Sequence, residues 1–146
     1  RCRDAAGGCM KTATRRTSAW ALPKLAYALW LLAGTSIFLA PAHFHALTPG
    51  VALFGPSNAH FIRDVGLVYV ASGLVGRYGV RSGSVPVSVA AALWSCLHAL
   101  FHLHVWIDRG LPLDGISLFD LSIVIVPPFL VVLVLLSNRS QPETSP

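Results

Sequence analysis

"VPVSVAAALWSCLHALFHLHVWI", residues 85–107, decides how this chain folds. Its length is close to the ~20 apolar residues that carry a helix across a bilayer. A barrel strand would be about half as long and would alternate in polarity, and no alternation is present. The end of the stretch is unusual. His98, His102 and His104 fall within about two helical turns among Leu, Ala and Phe.

Three more apolar runs stand around it: Leu22–Ala42, Phe61–Val80 and Ser117–Ser137. Composition agrees with a lipid solvent. Of 146 residues, 54% are hydrophobic and 12% charged, about half the usual charged fraction. A soluble domain could not cover its surface with so few charges. The expectation is an all-α, integral membrane four-helix bundle over 22–137. A basic segment precedes it (1–21) and a polar, disordered tail follows (138–146). Met10 reads as a natural start, which makes residues 1–9 an upstream extension or a cloning remnant. Cys2, Cys9 and Cys96 are too scattered for a disulfide framework or a zinc knuckle.

The net charge of +5 lies between the apolar runs, so it speaks for orientation rather than nucleic acid. Lys11, Arg15, Arg16 and Lys24 precede the first run, Arg77 and Arg81 flank the turn after the second, and Arg139 follows the fourth. Four spans place all of these on one side, against Arg63 and Arg109 on the other. The positive-inside rule then makes both termini cytoplasmic, in a bacterial inner membrane. The first run also has the basic, apolar, small-residue order of a cleaved signal peptide. Its length and the lack of a clear cleavage signal favour a retained span. The 43–60 loop, "HFHALTPGVALFGPSNAH", has turn signals around "VALF", which reads as a short segment lying on the membrane surface.

In the second run Gly66, Gly73 and Gly76 share a helix face, as close packing in lipid requires. In the fourth, Pro127-Pro128 should kink the helix and free carbonyls.

With this orientation every histidine lies on the outer side or in the outer half of the bilayer. His98 is about 12 Å below Trp106 at ~1.5 Å per residue, well within hydrocarbon. Polar groups at that depth face the bundle and find partners. His98 and His102 are i,i+4, as are His60 and Asp64. Two such pairs on neighbouring helices make a four-ligand metal site from His98, His102, His60 and Asp64. Nitrogen and carboxylate donors suit Cu, Zn or Fe. An i,i+4 pair suits a bare ion better than haem. Asp120 can serve as ligand, as partner of a ring N–H, or as counter-ion of Arg63. His43, His45 and His104 are expected nearer the headgroups. Two other readings stand beside this one. The polar groups can be bundle glue or a partner-docking site, or they can relay protons for a small-molecule transporter. No nucleophile–base–acid arrangement is legible, so binding or accessory work is expected rather than catalysis. The bilayer is the expected partner, with other membrane subunits or a second copy beside it, and no nucleic acid.

"NAHFIRDVGLVYVASG" (58–73), followed by "LHALFHL" (97–103), resembles uncharacterised small four-helix bacterial inner-membrane proteins of the broad DoxX-like group. The matching positions are His60, Arg63, Asp64, Gly66, Tyr69, His98 and His102. The resemblance implies an accessory role in a membrane redox complex.

Overall fold

A computed structural model describes residues 20–139. Cys2, Cys9, Lys11, Arg15, Arg16 and residues 140–146 of the expected disordered tail (138–146) lie outside the described residues, and residues 138 and 139 of that tail continue the last helix. The described chain is helical, with no strand. Helix α1 spans Ala21–Leu39, α2 Pro41–Leu47, and a 3-10 turn Val51–Phe54. Then come α3 (Ala59–Arg81), α4 (Val85–Asp108), α5 (Gly115–Phe119), a π-helical segment (Asp120–Ile125) and α6 (Val126–Arg139).

Local chemistry sets these boundaries. Asn58 accepts a hydrogen bond from the Phe61 N–H at 3.1 Å and starts α3, as N-cap residues do. Proline in the first turn of α4 suits a position whose N–H has no helical acceptor. Asp114 caps α5 through the Ser117 N–H at 2.9 Å.

Three helices among the described residues are long and apolar enough to cross a membrane: Ala21–Leu39, Val85–Asp108 and the continuous Gly115–Asn138. These are the marks of a multi-pass membrane protein. Helix α3 is long enough, but it carries Arg63, Asp64, Arg77 and Arg81 and does not qualify by itself. Large apolar side chains cover the outside of the bundle, with Leu32, Leu39 and Leu133 all more than 60% exposed. Apolar patches on this scale are rare on soluble monomers.

The long helices run antiparallel. Glycine lets α1 and α3 touch backbone to backbone. A Cβ on Gly34 would lie 2.6 Å from the Gly66 carbonyl oxygen and 2.7 Å from the Val70 nitrogen. One on Gly76 would lie inside the Tyr27 ring. The expected small-residue face of α3 is therefore the face that packs. The Tyr27 hydroxyl crosses to α4 and donates to the Ser88 carbonyl. Tyr27 and Trp30 meet edge to face and form a core with Val131 and Leu135. This core fills the half of the bundle away from the 40–58 loop.

Between α1 and α2 the chain breaks at Ala40 (φ −129, ψ 59), ahead of Pro41. The last carbonyls of a helix need outside donors. Arg63 supplies one, its Nε donating to the Phe38 oxygen at 3.3 Å. Its partner is thus a backbone carbonyl and not Asp120. Arg63→Leu is expected to cost about 1.5–3 kcal/mol, the range for a hydrogen bond from a charged group. Denaturant titration of the two proteins in the same detergent checks this.

Candidate functional site

At the loop end the helices do not close on one another. Helix α1 packs against the fourth helix through α6, whereas the π segment packs on α4. The gap forms a cavity of about 680 Å³, walled by α1, α3, α4 and the π segment and roofed by the 44–58 loop. Its lining is mostly apolar. The size lies within the ~300–1,000 Å³ of small-molecule sites.

The π segment has a local cause. Pro127 and Pro128 cannot donate the hydrogen bonds that the Ile123 and Val124 carbonyls would accept in an α-helix. The helix widens just before them, and the Val126 N–H reaches back five residues to the Leu121 carbonyl. Asp120 is the first residue of the widened stretch and is buried. Its Oδ2 lies 3.0 Å from Nδ1 of His102. The contact is an ion-pair distance without the alignment of a ring N–H hydrogen bond, so the buried Nδ1 has no hydrogen-bond partner.

His102 is one rung of a ladder on α4. Trp94, His98 and His102 are spaced four apart and share a helix face. The Trp94 and His98 rings stack at 4.8 Å, and those of His98 and His102 meet at 4.6 Å. Tyr69 from α3 lies edge-on to Trp94. The cavity floor therefore joins Tyr69, His98, His102 and Asp120 from three elements.

His60 and Asp64 are not part of this group. They pair with each other at 3.6 Å, and the His60 side chain is 90% exposed. At about 100° per residue, His60 and Asp64 lie on the face of α3 opposite Gly66, Gly73 and Gly76. Packing the glycine face inward turns them outward. The expected four-donor set is thus split between two faces. Among the described residues no three His, Cys, Asp or Glu side chains are arranged to hold a metal ion. His43 is exposed, and His104 pairs with Asp108 on the outside at 3.2 Å. His45 has a different place. Its Nε2 lies 3.1 Å from the Gly55 carbonyl oxygen and pins the roof loop across its own width.

The rim is fastened as well. Arg109 pairs with Asp114, and the Trp106 indole N–H donates to the Pro112 carbonyl at 2.9 Å. The Ser117 N–H, with help from Arg109, holds the Asp114 carboxyl down at about 2 from an ordinary 3.8. A depressed carboxyl contributes stability that is present above its unfolded value and lost as pH falls through the folded one. The rim is therefore expected to hold above about pH 4 and to loosen towards pH 2. Asp114→Asn removes that dependence. Amide exchange of residues 109–117, followed against pH, reads it.

Sequence reasoning did not single out Trp94, Trp30 or the Arg109–Asp114 pair. The four-residue spacing from Trp94 to His98 was the available signal. Comparison with protein-family models, with curated proteins and with solved structures finds no match for this chain.

Proposed function

We propose that this is a four-span inner-membrane protein, both termini cytoplasmic, that binds a small apolar molecule in the outer half of the bilayer. It serves as a binding or accessory subunit rather than an enzyme. The observation that carries the reading is the apolar cavity with His98, His102 and Asp120 in contact at its floor. A purely structural cluster would be packed round by side chains, as Tyr27 is. Here the same polar groups line open volume. The orientation rests on Lys24, Arg77, Arg81 and Arg139 standing at one end of the four helices. In that frame α3 crosses with its charges near its ends and its glycine face against α1.

Protein purified in mild detergent without chelator, then extracted with organic solvent for mass spectrometry, tests the reading. The variant Ala33→Trp, which fills the cavity from α1, runs beside it. A near-stoichiometric small molecule in the wild type, lost in the variant, is the expected result. Elemental analysis of the same sample completes the test. Stoichiometric Cu, Zn or Fe, lost in the His98→Ala/His102→Ala double variant, would replace this reading with a metal site. An extract with no compound beyond lipid and detergent, from protein that also holds no metal, would leave the structural role instead.

A further inference from the structure

The lining of the cavity specifies more than an apolar ligand. The chain has seven Phe, four Trp and three Tyr, and eight of these rings line this one cavity. Trp30, Tyr69, Phe101 and Phe119 come from four different elements. The faces of aromatic rings carry partial negative charge and attract cations, most strongly where water is excluded.

The charges of the lining point the same way. Asp120 is the one carboxylate among the lining residues. Its side chain is 11% exposed, and the group set against it is the His102 ring, with Nδ1 at 3.0 Å, rather than a Lys or Arg. A buried carboxylate in that state is costly until a cation or donor meets it. Arg109, the one Lys or Arg in the lining, is already paired with Asp114 at the rim. His45 is engaged with the Gly55 carbonyl. Histidine, unlike Lys or Arg, is not a fixed cation, so His98 and His102 add none to the lining. The cavity therefore has a carboxylate, a wall of ring faces and no uncommitted fixed positive charge.

We propose that the ligand is a lipophilic organic cation, a quaternary or protonated tertiary amine or its phosphonium equivalent, with apolar groups that fill the cavity. This rests on the cavity-binding reading above and names its substrate class. The cation sits against Asp120, its charge spread over the surrounding rings, and its apolar arms occupy the space beneath the roof loop. A membrane-soluble cation reaches this site from the outer leaflet, where the gap between α1 and the π segment lies.

Three probes of one shape separate charge from fit: tetraphenylphosphonium, neutral triphenylphosphine oxide and tetraphenylborate. Equilibrium dialysis against the full-length protein in detergent measures each, with protein-free micelles as the blank. The expected order is cation, then neutral probe, then anion, with at least a tenfold step from cation to neutral. Asp120→Asn should bring the cation down to the level of the neutral probe and leave the neutral probe unchanged, while Asp120→Glu keeps the cation's advantage. The order among the probes is read on the wild type, so it stands even if Asp120→Asn does not fold. Equal binding of cation and neutral probe overturns the cation class but leaves the cavity reading in place. Binding of none of the three, by protein whose helicity is intact, overturns both.

Discussion

Gly34→Leu will unfold the bundle, or cost it at least about 3 kcal/mol. Overpacking a well-filled interior costs about 1–3 kcal/mol where side chains can move aside. Here they cannot. The atoms facing Gly34 are the Gly66 carbonyl oxygen and the Val70 nitrogen, with the Tyr69 Cβ beside them. Any Cβ forces the two helix axes apart, and a leucine forces them further. Domains of this size have only about 5–15 kcal/mol in total, so the loss is a large fraction. Unfolding by dodecyl sulfate, followed by circular dichroism, measures it. Gly115→Ala is the control, because a Cβ there meets nothing within 4 Å and its φ is ordinary. If the two variants unfold together, the α1–α3 contact is not what holds the bundle.

The second large effect concerns the site. Replacing both prolines, Pro127→Ala with Pro128→Ala, returns two N–H donors to the helix. The carbonyls of Ile123 and Val124 regain their partners, and the widened turn can close to the ordinary i→i+4 pattern. Closing it removes one residue's worth of winding, about 100°. Asp120 then rotates away from His102 while α6 stays seated in the core. The expected outcome is a more stable helix, by about 1–3 kcal/mol, that has lost its binding site. Tetraphenylphosphonium should bind at least tenfold more weakly, although no residue touching it has been changed. Unaltered binding would mean that packing on α4, rather than the prolines, fixes the widened turn.

Most of the helical fold was legible, and for identifiable reasons. Apolar run length, a local signal, located the long helices to within a few residues. The first run was carried through to Ala42, however, where the helix breaks at Ala40, and the caps Asn58 and Asp114 were not singled out. The glycine face of α3 was legible too, since helix periodicity needs no knowledge of neighbours. Periodicity also bears on the expected four-donor set. Once Gly66, Gly73 and Gly76 face inward, His60 and Asp64 must face out, and they cannot join His98 and His102. Asp120 is different. Its contact with His102 was one of several roles open to it, because the widened turn adds a rotation that no apolar pattern records. The cavity was beyond reach for the same reason. It exists where α1 and the π segment fail to meet, and absence of packing leaves no residue type behind it. Arg63 also has a partner that pattern alone does not reveal, a backbone carbonyl exposed by the break before Pro41.

The widened turn has a genetic meaning. A π segment is an α-helix with one surplus residue, so in coding terms it is a single extra codon between two helical stretches that would otherwise join in frame. Deleting Ser122 would erase the surplus residue, while Pro127 and Pro128 would still withhold donors from the two carbonyls one turn before them. Site and scaffold would then separate in one mutational step, since the core around Tyr27 and Leu135 does not depend on the extra residue. A lineage could gain or discard this pocket by a one-codon insertion or deletion. Related chains should therefore differ here by a one-residue gap, and the gap should coincide with loss of the paired His102 and Asp120.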